Sequence, residues 1–424
     1  MMKRPVYIVG GTRTPFVKSW TYFSDVTGQE LTTACLLQLS KQFHLQNALL
    51  GDVAIGGTIR NGMDWDFARE CVLGSDLSPY TPGYSVQRAC GSSLETSWQI
   101  ALKIGNGDME IGITGGVDTN SDLPIGMPRS FARKSLRIRN GKTFGEKLKA
   151  IFSLRPSDFK LQHPSVKEPR TGLSMGEHCE KMVKEWKISR EAQDALALKS
   201  HQNANKAWEE GFFEDLVFEY NGVKKDPLVR ADTNMEKMAK LKPAFDFSGQ
   251  GTLTAGNSSP LSDGAAVALM VSETALKQYN FTPLAKFVDA EVAAVDFVHG
   301  DGLLMAPTIA VSRMLERNNL TLQDFDFYEI HEAFAGQVLC TLKAWESAEY
   351  CKRVLHRDQP MGSIDLTKLN VKGGSVAIGH PFAATGARLV AGLAKILYQS
   401  KKKRGLISIC TAGGMGVVAI LESV

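Results

Sequence analysis

The stretch CGSSLETSWQIALKIGNGDMEIGITGG, residues 90–116, contains in order a cysteine, a helix-like segment, an apolar strand-like segment and paired glycines. Leu94, Trp98 and Ala101 recur at the spacing of one helix face, which predicts a helix after the cysteine. The same order returns in HPFAATGARLVAGLAKILYQS (380–400), followed by RGLISICTAGG (404–414). A candidate site residue, a helix, a strand and Gly-Gly therefore occur twice. This repetition predicts two related α/β halves.

The rest of the chain fits two halves with one long interruption. PVYIVGG near the N-terminus predicts a first strand, and LTTACLLQLSKQF predicts a helix. The alternation breaks between residues 122 and 248. We therefore predict an N-terminal half (1–121), an inserted loop domain (122–248), a return segment completing the N-terminal half (249–282) and a C-terminal half (283–424). In such sheets, ligand sites lie at strand carboxyl ends and helix N-termini.

Composition excludes several classes of protein. The chain has 424 residues, of which 43% are hydrophobic and 22% charged, as in globular domains. No apolar run approaches the ~20 residues that span a bilayer, and the first apolar run is too short for a secretion signal. The seven cysteines show neither a CxxC pair nor a zinc-ligand spacing. We therefore predict a cytoplasmic protein with reduced thiols and no bound metal.

Charge is unevenly distributed along the chain. The net charge is +4, yet residues 126–170 alone contain twelve Lys or Arg against three acidic residues. RSFARKSLRIRNGKTFGEKLKAIFSLRP within this stretch also has apolar residues at helical spacing, which predicts a basic amphipathic segment. Such a segment can contact phosphates, an anionic membrane surface or a partner protein. A solvated loop remains the alternative.

Three reactive side chains stand at predicted element ends. Cys90 precedes a helix, where the helix dipole and a nearby histidine favour a thiolate. His380 stands at the corresponding point of the second half, so the two helix starts could face each other, although a histidine there could equally be a cap. Cys410 ends a strand and is followed by glycines whose N–H groups could form an oxyanion hole.

A fourth candidate, His331, follows the apolar strand of YEIHEAF together with Glu332. A second histidine four residues on, which the HExxH zinc motif requires, is missing from the sequence. A zinc protease is therefore disfavoured.

These stretches resemble the thiolase family along nearly the whole chain. GGTRTPF (10–16) is similar to its amino-terminal signature, RACGSSLE (88–95) to its nucleophile motif and GNSSPLSDGAA (256–266) to its CoA-contacting segment. HEAF (331–334), GGSVAIGHPFAATGAR (373–388) and CTAGGMG (410–416) complete the set in the family's order. The resemblance implies a thiolase-like α/β fold, with two similar halves stacked in α-β-α-β-α layers and an inserted loop domain.

The resemblance also implies roles for the reactive residues. Cys90 would accept the acyl group as a thioester, and His380 would take its proton. Cys410 would protonate the departing acetyl-CoA carbanion and deprotonate the incoming CoA. The backbone N–H groups of Cys90 and Ala412 would form one oxyanion site, and His380 with His331 would form the other.

Further positions follow from the same resemblance. Ser259 matches a serine that touches pantetheine, and Met175 matches a methionine that lines the pocket. CoA would be a substrate, so no cofactor is expected. The implied partners are acyl-CoA and CoA, a second copy in a homodimer or dimer of dimers, and no nucleic acid.

The sequence departs from the family's common pattern at three places. His331 stands where Asn is common, Ala412 where Gly is usual, and GNSSP where GNASG is common. The HEAF form and the basic insertion look most like β-subunits of fatty-acid oxidation complexes, which would add a hydratase/dehydrogenase α-subunit and peripheral membrane contact as partners.

The implied activity is CoA-dependent cleavage of 3-ketoacyl-CoA in β-oxidation, and a biosynthetic acetoacetyl-CoA thiolase is the alternative. A decarboxylating ketoacyl synthase would use Cys90, His331 and His380 but would not need the thiol of Cys410. A non-catalytic lipid-binding paralogue would be expected to lack at least one reactive residue, and all are present.

Overall fold

The computed structural model describes residues 2–424, which fall into two compact units. The larger unit contains the chain up to Thr58, then Trp65–Asp122 and Lys167–Val424. The smaller unit contains Ile59–Asp64 and Leu123–Val166. The four-segment division drawn from the sequence is a different partition, and it stays a prediction.

Within the described residues, the larger unit is built on a mixed sheet of ten strands. Its strands are β1 (Tyr7–Arg13), β2 (Val17–Lys18), β3 (Asp52–Gly56), β4 (Gly83–Val86), β5 (Ile111–Asp118), β6 (Ser262–Val271), β7 (Ala285–Ala294), β8 (Phe327–Ile330), β9 (Arg404–Thr411) and β10 (Met415–Glu422). Their order is β4-β3-β5-β6-β1-β7-β10-β9-β8, with β2 beside β6. In each half a parallel pair, β3–β5 or β8–β9, adjoins an antiparallel pair, β5–β6 or β9–β10.

Fourteen α-helices accompany these strands in the described part of the chain. They are α1 (Gly28–Phe43), α2 (Phe67–Leu73), α3 (Ser92–Asn106), α4 (Arg129–Asn140), α5 (Phe144–Phe152), α6 (Met175–Glu185), α7 (Arg190–Glu209), α8 (Met235–Ala239), α9 (Glu273–Tyr279), α10 (Ala306–Arg317), α11 (Ala335–Glu346), α12 (Ala348–Arg353), α13 (Ser375–Ile378) and α14 (Thr385–Ser400). All except α4 and α5 belong to the larger unit.

Layering in the larger unit follows from which helices cover which strands. Helix α1 packs on β6, and α10 packs on β7 and β10. Between them, α3 and α14 pack against each other, with α3 on β3 and β5 and α14 on strands of both halves. Apolar side chains from this central layer, including Leu94 and Leu389, share one buried cluster with the strands. The α/β class and the layered arrangement predicted from the sequence are confirmed.

Close contact between α3 and α14 depends on Gly386. A Cβ atom at this position would lie 2.3 Å from the backbone nitrogen of Leu94. The Ser93 hydroxyl accepts a hydrogen bond from the Ala387 backbone N–H at 2.8 Å across the same contact. The starts of these two helices are therefore held together by a small residue and a buried hydrogen bond.

The smaller unit contains helices α4 and α5, which pack against each other. Lys134 links its parts, because its ammonium group lies 2.6 Å from the carboxylate of Asp158 and 2.7 Å from the Ser153 carbonyl. Phe144 and Phe152 on α5 are each 80% exposed. The predicted amphipathic segment is thus helical, and its apolar residues within this unit are largely uncovered. No helix among residues 2–424 combines the length and apolar character needed to cross a membrane.

Candidate active site

Cys90 lies in a tight turn just before α3. The preceding Ala89 has φ of 44°, a left-handed conformation that side chains disfavour. The hydroxyl of Ser92 holds this turn by donating to the Ala89 carbonyl at 2.6 Å and accepting from the Arg88 N–H at 2.8 Å. The local sequence therefore keeps the thiol in a strained turn, as is frequent at reactive positions.

His380 lies between α13 and α14. Its backbone N–H donates to the Ser262 hydroxyl at 3.1 Å, and its Nδ1 lies 2.7 Å from Thr385 Oγ1. The backbone N–H of Ala383 donates to the Asp118 carboxylate at 2.8 Å. Since Ser262 begins β6 and Asp118 ends β5, these bonds tie the histidine segment of the C-terminal half to strands of the N-terminal half.

His331 follows β8 directly, and its backbone N–H donates to the Ser408 carbonyl on β9 at 2.8 Å. Its Nδ1 lies 2.8 Å from Ser375 Oγ, and the same oxygen accepts a hydrogen bond from the Arg388 guanidinium at 3.0 Å. A guanidinium only donates, so the hydroxyl proton of Ser375 is available to Nδ1. We therefore assign the proton of His331 to Nε2.

Cys90, His331 and His380 meet at one point, although they come from distant parts of the chain. The Cys90 sulfur and one ring nitrogen of each histidine lie within 4.8 Å of one another, and the two ring centroids are 4.1 Å apart. The histidines are 1% and 4% exposed. Neither Nε2 has a hydrogen-bond partner within residues 2–424. The cluster thus offers a thiol and two unsatisfied ring nitrogens to a ligand.

Burial sets the protonation of this cluster. Desolvation raises the pKa of Cys90 to about 12, and a hydrogen bond from the Ala412 backbone N–H opposes that shift only in part. Desolvation lowers the pKa of His380 to about 3 and moves the pKa of His331 well below its usual value, and the Arg388 charge adds to both shifts. The sequence favours a thiolate at Cys90, but desolvation outweighs the backbone hydrogen bonds and leaves a neutral thiol beside neutral imidazoles.

Cys410 lies in β9, only 1% exposed. Desolvation raises the pKa of Cys410 well above its usual value, and the neighbouring Cys90 adds to that shift. Ala412 follows in the turn to β10. The next residue, Gly413, has φ of 76° and donates its N–H to the Glu168 carboxylate at 2.8 Å. A second protonated thiol therefore lies near the first, beside a turn fixed by a carboxylate.

Ser259 and Met175 lie close to these segments. The Ser259 hydroxyl donates to the Ala333 carbonyl at 2.9 Å, next to the segment that carries His331. Met175 begins α6 and packs, partly buried, against the apolar cluster that includes Cys410. Their contact with CoA stays a prediction.

Glu332 supports the site in a way that sequence analysis missed. Its carboxylate is buried and accepts hydrogen bonds from Ser200 at 2.7 Å, Asn370 at 2.6 Å and the Val376 backbone at 3.2 Å. At Gly374, a Cβ atom would lie 2.1 Å from this carboxylate. The residue after His331 thus joins α7, α13 and the end of β8.

The arrangement supplies a nucleophile, one proton acceptor and two proton donors. The neutral His380 ring can take the proton of Cys90, and the Nε2–H of His331 can donate to a developing oxyanion. Cys410 offers a second thiol proton close to the first. Such a set suits acyl transfer between thiols through a covalent thioester.

Comparisons with known proteins agree across the whole chain. Residues 6–274 match the family model described as thiolase, N-terminal domain, and residues 281–423 match the thiolase C-terminal domain. A protein of Serratia proteamaculans named 3-ketoacyl-CoA thiolase is 38% identical over 98% of this chain and 96% of its own length. A Yersinia pestis protein of the same name shows the same identity and coverage.

Two solved structures are similar in fold. Human mitochondrial 3-ketoacyl-CoA thiolase in complex with CoA is 28% identical, with a TM-score of 0.82 over 100% of this chain and 99% of that chain. The Bacillus anthracis acetyl-CoA acetyltransferase is 30% identical, with a TM-score of 0.81 over all of both chains.

Proposed function

This chain belongs to the thiolase family, and on that premise we propose that it is a 3-ketoacyl-CoA thiolase. It cleaves a 3-ketoacyl-CoA with free CoA, giving acetyl-CoA and an acyl-CoA shortened by two carbons. The observation that carries the proposal is the neutral Cys90–His380 pair with Cys410 alongside. Similarity to relatives named for this reaction supports the substrate class.

In the first half-reaction, the sulfur of Cys90 attacks the 3-keto carbon while its proton passes to Nε2 of His380. The bond between carbons 2 and 3 then breaks, and Cys410 gives its proton to carbon 2 of the departing acetyl-CoA. The acyl group remains on Cys90 as a thioester, and Cys410 is left as a thiolate.

In the second half-reaction, the Cys410 thiolate takes the proton of the incoming CoA thiol. The CoA sulfur attacks the acyl carbon, and Cys90 leaves with the proton held by His380. Every group is then restored. Exchange of one thioester for another is nearly balanced in free energy, so the same residues serve the reverse condensation.

Oxyanions need donors at two places. Backbone N–H groups of Cys90 and Ala412 serve the acyl oxygen, and the existing bond from Ala412 to the Cys90 sulfur supports their proximity. Nε2–H of His331, with protonated His380, serves the thioester oxygen of the acetyl-CoA unit. Hydrogen bonding from Ser375 keeps the His331 proton on the side that faces this oxygen.

Mass spectrometry tests the covalent step. Incubation with a 3-ketoacyl-CoA should add an acyl mass to the peptide that carries Cys90, and Cys90→Ala should abolish both the adduct and turnover. Cys351→Ala, which alters a buried cysteine on α12, is the control and should keep both. Normal turnover by Cys90→Ala would refute the assignment.

The second candidate function is acetyl-CoA acetyltransfer, which the Bacillus anthracis match favours. A chain-length series from C4 to C16 3-ketoacyl-CoA, assayed with free CoA, separates the two. Activity confined to acetoacetyl-CoA would favour the second candidate. Cleavage of longer chains would support a degradative role in fatty-acid β-oxidation, which we place in the cytoplasm.

We propose that the protein forms a homodimer or a dimer of dimers, which light scattering would measure. We also propose that the smaller unit contacts an anionic membrane surface. Arg133, Arg137 and Arg139 on α4 are exposed, and so are Phe144 and Phe152 on α5. Positive side chains beside uncovered apolar ones fit a lipid headgroup layer.

Charge reversal tests this apposition. Arg133, Arg137 and Arg139 are changed to Glu, whereas Lys134 is kept because it pairs with Asp158 inside the unit. Each basic residue near an anionic surface contributes about 1 kcal/mol, so liposome binding should fall at least about a hundredfold. Lys401, Lys402 and Lys403, reversed together, are the control for net charge. Unchanged liposome binding by the triple variant would refute membrane contact. If the variant instead no longer co-purifies with a hydratase/dehydrogenase subunit, the basic face of α4 binds that partner.

A further inference from the structure

The cluster of Cys90, His331 and His380 has the ligand types of a zinc site with an open position. Thiolate sulfur and neutral imidazole nitrogen are the donors that Zn²⁺ prefers, and three protein ligands with a free fourth position are typical of reactive zinc sites. The three donor atoms lie within 4.8 Å of one another. In a tetrahedral zinc site they would lie roughly 3.3–3.7 Å apart, given bonds of about 2.0–2.3 Å. Shifts of about 1 Å in the side chains would close that difference.

Both imidazoles are buried where the cluster meets. Neither Nε2 has a hydrogen-bond partner within the described residues. Nδ1 of His380 can donate to Thr385 Oγ1 at 2.7 Å, which leaves its Nε2 lone pair available. Orientation of metal-bound histidines by such outer hydrogen bonds is the usual arrangement.

The proton of His331 must move from Nε2 to Nδ1 before that nitrogen can bind a metal. Ser375 Oγ then accepts from Nδ1–H through its second lone pair while it still accepts from Arg388. Cys90 loses its thiol proton to solvent as the S–Zn bond forms, so one proton is released per ion bound.

We propose that Cys90, His331 and His380 bind Zn²⁺ and that this binding reversibly inhibits the enzyme. The proposal rests on the proposed function, because occupation by the metal removes the nucleophile and its base together. Zn²⁺ and acyl substrate exclude each other at the Cys90 sulfur. The bound Zn²⁺ inhibits the enzyme and takes no part in the reaction.

Metal binding is measured first, without reference to activity. Co²⁺ is titrated into chelator-treated protein, and a near-ultraviolet thiolate-to-Co²⁺ charge-transfer band is expected at one equivalent. Zn²⁺ should displace it, and Zn²⁺ should also protect Cys90 from iodoacetamide. Cys90→Ser should abolish the band. His331→Asn should weaken Zn²⁺ binding by roughly tenfold or more, because an amide is a poor zinc ligand.

Two controls separate this site from adventitious binding. His299 is exposed and lies 2.8 Å from Asp296, so His299→Gln removes a surface pair that could also take a metal. His299→Gln and Cys351→Ala should both leave the band and the Zn²⁺ affinity unchanged. Loss of the band in His299→Gln, or full Zn²⁺ affinity in His331→Asn, would overturn the proposal.

Inhibition is measured last. Saturating Zn²⁺ should lower thiolytic activity more than tenfold, EDTA should restore it, and each variant is compared with its own metal-free activity. Zn²⁺ bound at one equivalent with undiminished activity would also overturn the proposal. Chelator-treated enzyme that fails to cleave 3-ketoacyl-CoA would refute the proposed function, while the Co²⁺ spectrum would still report on the metal site.

Discussion

The contact between α3 and α14 predicts a large functional effect from one methyl group. Gly386→Ala would bring a Cβ atom to 2.3 Å from the Leu94 backbone nitrogen and 2.9 Å from the Ser93 carbonyl carbon. Ordinary contacts of a Cβ atom begin at 3.4 Å. Because both neighbours are backbone atoms, no side chain can rotate away, and one helix must move by about 1 Å in a tightly packed layer.

This movement acts directly on the active site. Cys90 stands just before α3, and Thr385 at the start of α14 lies 2.7 Å from Nδ1 of His380, so the two helix starts position the reacting pair. A misplacement of about 1 Å can cost on the order of 10²-fold in rate. Overpacking of this kind destabilises a protein by about 1–3 kcal/mol, which leaves most of the molecules folded. We therefore expect a folded Gly386→Ala variant with kcat about a hundredfold lower.

Gly392→Ala provides the matched control, since it makes the same change on the same helix. A Cβ atom at Gly392 has no described atom within 4 Å. Replacement of a helical glycine by alanine should stabilise the protein by about 0.5–1 kcal/mol. The assay is thiolytic cleavage of a 3-ketoacyl-CoA, with thermal unfolding and near-ultraviolet circular dichroism on the same samples. Activity of Gly386→Ala within threefold of wild type, or an equal loss in Gly392→Ala, would refute the reasoning.

Three further predictions concern single residues. Cys410→Ser should leave some acylation of Cys90 by reactive thioesters but slow full turnover steeply, and His380→Ala should impair acylation itself. Each loss should lie within about 10²–10⁴-fold, and a loss under tenfold would count against the role. His331→Ala should lower turnover by about 10²–10³-fold. His331→Asn should lower it less, since an amide can also donate a hydrogen bond to the oxyanion. Equal turnover of wild type and His331→Ala would exclude this contact. Burial lowers the pKa of His201 to about 4, and its Nδ1 accepts from the Arg230 N–H at 3.2 Å. In the unfolded chain the His201 imidazole binds a proton below about pH 6.5, whereas in the folded state it binds one only near pH 4. The free energy of unfolding therefore falls as the pH is lowered through this range. His201→Gln should remove roughly 2–3 kcal/mol of the difference in urea-unfolding free energy between pH 7.5 and pH 4.5, and parallel curves for variant and wild type would contradict the assignment.

Much of the fold follows from local sequence pattern. The helix after Cys90 and the strand that ends at Cys410 are visible in the spacing of apolar residues and in the glycines that follow. The repeated order of cysteine or histidine, helix, strand and glycine pair also predicts that the starts of α3 and α14 approach each other. Periodicity carries this information because each half must bury one face of its helices against its strands.

Other features of the site depend on tertiary contacts that no single segment specifies. Ser375 and Arg388 lie in the same motif as His380, yet they serve His331, which lies on another segment. The protonation state of Cys90 also depends on burial by neighbouring segments, so a helix start alone predicts the wrong direction for its pKa. The strained φ of Ala89 has no residue signature, since glycine is the usual choice there.

The place of β6 and β7 in the sheet has a consequence for synthesis on the ribosome. Strand β1 is among the first parts of the chain to emerge, yet both of its neighbours, β6 and β7, begin only at Ser262 and Ala285. Until then β1 has no partner, and β5 has one open edge. Unpaired strand edges template aggregation, and contacts between distant segments form slowly. The nascent chain must therefore remain protected through more than half of its translation, and a truncation before β6 would yield an aggregating fragment in place of a folded half.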